Sequence, residues 1–437
     1  MDIQDLNIQH YIKAALSSLN FQSLKPVQEQ VIPLALKGES LIVESQTGSG
    51  KTHSFLIPLM DQLNSELAEV QAVVTAPSRE LAEQIYQMAT QINGFRPNPL
   101  RIENYVGGTD KKRQLDKLGS QNQPQLVIGT PGRIFDLMSE HALWVQTSRV
   151  MVVDEADMTL DMGFLNTVDE IASRMPEDLQ MMVFSATVPQ ALEVFLNKYM
   201  DHPQRIKIEN QDVISPTIRN YLLNTKQQDR KVLTYDLLTK GHPFLALVFT
   251  NTKEYADQLV DYLRHRGLKV AKIHGDVDSR ERKRIMRQIR NLEFQYVVAT
   301  DLAARGIDIP GISLVINTEL PQDLEFFVHR VGRTGRNDLP GEAYTFYDPA
   351  EDQAIDQLED KGIQFIPVRW KDGELVETHQ RDRRQRRKVK AKEDLPEINR
   401  LVNRQKHKKV KPGYKRKLKQ NIKKIRRAHT QSKFNKK

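Results

Sequence analysis

Leu41-Ile42-Val43-Glu44-Ser45-Gln46-Thr47-Gly48-Ser49-Gly50-Lys51-Thr52 is the stretch that decides the fold of this 437-residue chain. A short apolar run ends in a polar loop with two glycines, and a helix can open at Lys51. Glycines at 48 and 50 let the backbone wrap so that its N–H groups converge on an anion. A helix N-terminus behind the loop adds partial positive charge there. Strand, glycine loop and helix together make a cradle for phosphate. Lys51 would reach the outer phosphates, and the Thr52 hydroxyl would sit on Mg²⁺. Ser45 stands where the strict pattern has glycine, so the strand and helix on either side carry the reading.

A second stretch completes it. Arg149–Val153 is an apolar run, and Asp154-Glu155-Ala156-Asp157 follows at once. Acids at a strand end are held rigidly at the carboxyl edge of a parallel sheet, where open α/β folds bind ligands. Asp154 would hold Mg²⁺ through water, and Glu155 would position and activate an attacking water. The two stretches imply a nucleoside triphosphate, Mg²⁺ and hydrolysis.

Around these stretches, short apolar runs alternate with helical patterns. Leu41–Glu44, Ala72–Ala76, Leu126–Gly129, Val150–Val153 and Met181–Phe184 read as buried strands, with helices at Ser78–Ile92 and Pro189–Tyr199. The alternation restarts with strands at Leu245–Phe249, Val270–Ile273, Tyr296–Ala299 and Leu314–Ile316, and helices at Thr252–Arg266 and Ser279–Arg290. The expected class is α/β, with two parallel-sheet domains at 1–208 and 217–370, a linker at 209–216 and a tail at 371–437.

Charge is segregated along the chain. From Arg381 onward there are 25 Lys and Arg against four Asp and Glu, a net charge of +21. The rest of the chain holds 40 basic and 52 acidic residues, a net charge of −12. A tail of this composition cannot bury enough apolar area to fold alone and is expected to be disordered. Its density of cations points to a polyanion, and a nuclear address is the other use of such clusters. Leu418, Ile422 and Ile425 have helical spacing, so part of it can become helical on a partner. The chain has no cysteine, which removes disulfides and cysteine-bound metal. Neither a signal-peptide pattern nor a membrane-length apolar run is present, so a cytoplasmic protein that meets no membrane is expected.

With these motifs in hand, the chain resembles the DEAD-box family of ATP-dependent RNA helicases over roughly residues 10–348. The resemblance rests on the two stretches above together with Pro77–Leu81 (PSREL), Gly107-Gly108, Thr130–Arg133 (TPGR), Ser185–Thr187 (SAT), Val248–Thr252 (VFTNT), Ala299–Ile309 (ATDLAARGIDI) and His329–Arg336 (HRVGRTGR). It implies two RecA-like domains facing across a cleft, ATP with Mg²⁺, and RNA as the stimulating partner. Arg333 and Arg336 are then arginine fingers supplied by the second domain. Gln28 would read adenine, Tyr11 would stack on it, and Asp308 would bond a ribose hydroxyl. RNA contacts would come from Arg79, Gly108, Thr130, Arg133, Thr250, Arg282 and Thr300. Asp157, Ser185, Thr187 and His329 would couple the two sites. Ser279 and Glu319 depart from the common family residues.

The resemblance extends to stand-alone bacterial cold-shock-type members. It implies a monomer that remodels short RNA duplexes, with ribosomal precursors or RNA-decay machinery as partners. Two other readings stay open: an ATP-gated clamp that marks RNA without recycling, and a DNA motor.

Overall fold

A computed structural model describes residues 3–378 apart from 22, 46–47, 119–122, 209–212, 227, 302–308, 310, 325, 336–338 and 372. Residues 1–366 form one compact unit.

Its first sheet has seven strands: β1 (Leu41–Glu44), β2 (Ala72–Thr75), β3 (Ile102–Tyr105), β4 (Leu126–Gly129), β5 (Val150–Val153), β6 (Gln180–Ser185) and β7 (Gln204–Lys207). They lie in the order β3-β4-β2-β5-β6-β1-β7, and every pairing is parallel. Helices cover both faces, which explains the unbroken apolar runs. Leu41, Val43, Val74, Ile128 and Phe184 enter one core, while Ile42, Val73, Val127, Met151 and Val183 enter the other. Successive strand residues point to opposite faces, so one run supplies both cores.

The second sheet repeats the plan with β8 (Ile218–Asn224), β9 (Ala246–Thr250), β10 (Val270–Ile273), β11 (Tyr296–Thr300), β12 (Leu314–Asn317) and β13 (Gly341–Tyr347). These six run parallel in the order β10-β11-β9-β12-β13-β8. The expected strands are all present. β3, β7, β8 and β13 were not among them, because each carries polar or charged residues such as Asn104, Arg205, Arg219 and Glu342 that break a continuous apolar run.

Register sets the site. Glu44 pairs with Ser185, and Thr75 pairs with Val153. The carboxyl ends of β1, β2, β5 and β6 therefore end at one level, and the loops after them share one edge. In the second sheet Thr250 pairs with Thr300.

A second unit begins at Pro367. Its described part contains an antiparallel hairpin between β14 (Ile366–Lys371) and β15 (Glu374–Glu377). The basic segment from 379 onward lies outside the described residues. Among the described residues no helix is long and apolar enough to cross a membrane.

Candidate nucleotide and nucleic-acid site

The loop after β1 has the built form of a phosphate cradle. The Ser45 N–H donates to the Ser185 carbonyl at 3.0 Å, which anchors the loop to β6. The hydroxyls of Ser45 and Ser49 meet at 3.1 Å across the loop. Gly50 has φ +100°, and a Cβ there would lie 2.8 Å from Gln28 Nε2, so neither the conformation nor the space admits a side chain. The helix Lys51–Gln62 opens directly behind it. Lys51 is buried; its Nζ donates to the Ser45 carbonyl at 3.0 Å and lies 3.2 Å from Glu155 Oε1. Gln46 and Thr47 lie outside the described residues.

Asp154 and Glu155 follow β5 on the same edge. The Asp154 N–H donates to the Thr75 carbonyl at 3.0 Å, and Asp154 Oδ1 accepts from the Glu155 N–H at 3.0 Å. Glu155 sits at φ +49°, ψ +58°, a left-handed conformation that costs a non-glycine residue on the order of 1 kcal/mol or more. The strain turns the chain from β5 into the helix Ala156–Asp161 within two residues.

The charges here are crowded. Burial, reinforced by Glu155, pushes the Asp154 carboxyl up to about 7 against the pull of Lys51. Burial also pushes Glu155 upward, but Lys51, His329 and Arg333 outweigh it and hold Glu155 below its usual range. Burial works against the Lys51 ammonium, yet Glu155, Asp154 and Asp157 hold it above its ordinary value. Burial lowers His329 despite the opposing pull of Glu155 and Asp157. The edge thus presents an ionised Glu155 beside one carboxyl raised by burial. His329 and Arg333 come from the second sheet's half of the unit, and Arg333 Nε donates to the His329 carbonyl at 3.2 Å.

The donor set suits Mg²⁺ held partly by water and phosphate. Among the described residues no group of three or more His, Cys, Asp or Glu could hold a metal alone. Thr52 and Asp154 supply hard oxygen donors beside the phosphate loop, the kind of partial set Mg²⁺ takes when phosphates and water complete its octahedron. The raised Asp154 is the observation that favours a cation.

Asp157 ties this edge to the loop after β6. Its Oδ2 accepts from the N–H groups of Ala186 and Thr187, each at 3.1 Å. Its own N–H donates to Ser185 Oγ at 3.0 Å, and that hydroxyl donates to the Thr187 carbonyl at 2.5 Å. The candidate coupling residues Asp157, Ser185 and Thr187 are therefore one hydrogen-bonded unit.

Gln28 is brought to the phosphate loop. Its Nε2 donates to the Gly50 carbonyl at 3.1 Å, and its Oε1 accepts from the Lys25 N–H at 2.9 Å. Each end of the amide keeps one further hydrogen-bonding position for a base.

Tyr11 is a correction. Its ring is buried with the Arg96 guanidinium 5.3 Å from its centroid, and its hydroxyl donates to the Met60 carbonyl. Met60 lies nine residues along the helix from Lys51, roughly 13 Å at 1.5 Å per residue. That places Tyr11 in the core behind the helix, away from any base at the loop. The aromatic ring at the helix's open end is Phe21, which meets His53 edge-on at 4.8 Å. Lys25 also reaches the loop, donating to the Gly48 carbonyl at 3.2 Å. Neither residue carries a sequence signal of its own, because both contacts are made across the fold.

The candidate RNA contacts of the first half gather at the ends of β2, β3 and β4. The Arg79 guanidinium lies over Gly107, where a Cβ would be 3.2 Å from Nη2. Gly108 takes φ +75° and is exposed. The Thr130 N–H donates to the Tyr105 carbonyl at 3.0 Å. Arg133 donates from both Nη atoms to the Thr109 carbonyl at 3.3 Å and from Nη1 to Gln114 Oε1 at 2.5 Å, fastening the glycine turn.

In the second half, Thr250 closes β9. It is fully buried, and its hydroxyl donates to the Thr252 carbonyl at 3.2 Å. The exposed hydroxyl of that loop is Thr252, which caps the helix Lys253–His265 by accepting from the Tyr255 N–H at 3.1 Å. Thr300 ends the neighbouring strand and is nearly buried. Arg282 lies on the helix Ser279–Arg290 with Nε 2.6 Å from Glu80 Oε1, a charge contact without an aligned N–H···O bond. Glu80 belongs to the first half, so this contact joins the two. Asp308 and Arg336 lie outside the described residues.

Comparison with known proteins agrees with this geometry. The DEAD/DEAH box helicase family matches residues 25–195, and the helicase conserved C-terminal domain matches residues 228–338. The chain is 50% identical over 426 residues to the DEAD-box ATP-dependent RNA helicase CshB of Listeria monocytogenes, covering 97% of each. It is 47% identical to CshB of Bacillus subtilis, over 96% of this chain and 95% of that one. Among solved structures, S. cerevisiae Dbp5 bound to RNA and ADP BeF3 matches with a TM-score of 0.76 at 28% identity, over 84% of this chain and 95% of that one. The two sheets are accordingly RecA-like domains, and the chain belongs to the DEAD-box family of ATP-dependent RNA helicases.

Proposed function

We propose that the chain is an RNA-stimulated ATPase that locally separates short RNA duplexes, with Mg²⁺ as the metal. One observation carries the reading. Glu155, the candidate base, is kept ionised by Lys51 from its own half and by His329 and Arg333 from the other. The base thus lies where charged groups of both halves converge, so turnover would need the two to meet. Lys51 and the loop N–H groups would bind the phosphates. Asp154 and Thr52 would hold Mg²⁺, which supplies charge neutralisation on the phosphates when bound. Glu155 would take the proton of the attacking water. Arg333, with Arg336, would stabilise the charge that develops on the outer phosphate.

RNA would lie across Arg79, Gly108, Thr130 and Arg133 in the first half and Thr252, Thr300 and Arg282 in the second. Such ligands address phosphate and sugar, so base sequence would not be read, and the 2′-hydroxyl would separate RNA from DNA. The same reading divides the chain into domains 1–208 and 217–370, with residues 371–437 as a tail that tethers RNA in the cytoplasm. The chain's setting would be cold adaptation, ribosome assembly or RNA decay.

The test is strand displacement and ATP hydrolysis by the full chain, with RNA, DNA or no nucleic acid. RNA alone should stimulate hydrolysis, and a non-hydrolysable analogue should allow at most one round of displacement. Equal hydrolysis with and without RNA would overturn the proposal. Repeated displacement on DNA would favour the motor reading.

A further inference from the structure

At the carboxyl edge of the second sheet, four residues the catalytic reading does not use form one network. Arg330 is fully buried, and four of its five guanidinium N–H groups are engaged. It donates to both carboxylate oxygens of Asp301, from Nη1 to the Glu319 carbonyl at 2.7 Å and from Nη2 to Asn251 Oδ1 at 2.7 Å, and it lies 5.3 Å from the Phe249 ring centroid. Asn251 is held from two further sides. Its Nδ2 donates to the Leu320 carbonyl at 2.8 Å, and its N–H donates to Glu319 Oε2 at 3.0 Å. The loop that exposes Thr252 is thus fastened by two charged side chains, Glu319 on the Asn251 backbone and Arg330 on the Asn251 side chain.

We propose that Glu319 is a positioning residue for the nucleic-acid-contacting loop Asn251–Thr252, and that it ties this loop to the segment carrying His329 and Arg333. The inference rests on the functional reading above. Asn251 is the hinge: Glu319 fixes its backbone, and Arg330 fixes its side chain. Arg330 directly follows His329 and lies three residues before Arg333. The Arg333 N–H donates to the Arg330 carbonyl at 3.2 Å, so a loop displaced by RNA pulls on the residue that holds the arginine finger's backbone. The Glu319 backbone carbonyl accepts from Arg330 in any variant, so the side chain can be changed without breaking the buried cross-tie.

The test uses the full chain and three substitutions: E319A, E319D and E319Q. The RNA concentration for half-maximal stimulation of ATP hydrolysis is measured together with the rate at saturating RNA and the unfolding midpoint. E319A loses a charge-assisted hydrogen bond to the loop and should raise the half-saturating RNA by about three- to tenfold, while the saturated rate falls less than about twofold. E319Q keeps an acceptor at the same reach and should recover most of the affinity. E319D has a shorter reach and should fall between the two. Unchanged half-saturation in E319A, with the wild type clearly stimulated by RNA, overturns the inference and leaves the functional reading intact. So does an equal loss in E319A and E319Q, which would make the carboxylate's position irrelevant. A wild type that RNA does not stimulate overturns the functional reading itself.

Discussion

The two halves of the molecule bury charge in opposite ways. In the second, Arg330 is enclosed with its donors matched to Asp301, Asn251 and the Glu319 carbonyl. In the first, Lys51 faces Glu155 while Asp154, Glu155 and Asp157 crowd around it, Asp154 is driven up to about 7, and Glu155 is held in a left-handed turn. A satisfied buried charge makes a frame, whereas a crowded one makes a site whose balance is restored by what binds. On the proposed function, the first half would hold the reagents under strain and the second would be braced to deliver charge to them.

That contrast is sharpened most by E155Q. Removing the base from the crowded edge should lower turnover by about 10³-fold while ATP and RNA still bind and the closed complex persists. Turnover close to wild type in a steady-state assay would take Glu155 out of catalysis. K51A should abolish nucleotide binding or hydrolysis in the same assay.

The frame is tested by R330M, which leaves the half-buried Asp301 without its cation and Asn251 and the Glu319 carbonyl without their donor. The expected loss is about 3–5 kcal/mol of stability, read as a lower denaturation midpoint. A midpoint equal to wild type would show that the cross-tie is not a brace.

A smaller effect of opposite sign is expected at Asp154. Its carboxyl is raised by burial, so its contribution to stability is full below about pH 4 and is lost as pH rises through about 7. D154N should therefore melt higher than wild type at pH 8 without nucleotide, by about 2–4 °C, and no higher at pH 4. It should also lose hydrolysis, the usual cost of a strained site. A lower melting point at pH 8 would contradict the raised carboxyl.

The smallest effect belongs to the contact between the halves. A double-mutant cycle on E80Q and R282A, read in RNA-stimulated hydrolysis, should give a coupling of about 0.5–1 kcal/mol, since the pair is partly exposed. Strict additivity would mean that the halves meet through other contacts.

The local chemistry was legible along the chain. An apolar run ending in Gly48 and Gly50 before Lys51, and another ending in Asp154-Glu155, specify strand ends and loop geometry through interactions within a few residues. Continuous apolar runs likewise declared a parallel sheet covered on both faces. Strands with mixed character, such as β3 and β7, were hidden because their pairing partners supply what their own pattern lacks.

What only the folded chain decided was which side chains meet across distance. Tyr11 went to the core because the Met60 carbonyl and Arg96 satisfy its hydroxyl and ring there, and Phe21 came to the loop in its place. Thr250 is buried at the end of β9, whereas Thr252 lies past the strand, exposed, as the cap of the next helix. The contacts of Glu80 with Arg282 and of Glu319 with Asn251 join residues 202 and 68 positions apart. Spacing along the sequence carries no information about such pairs; packing the sheets and helices creates them.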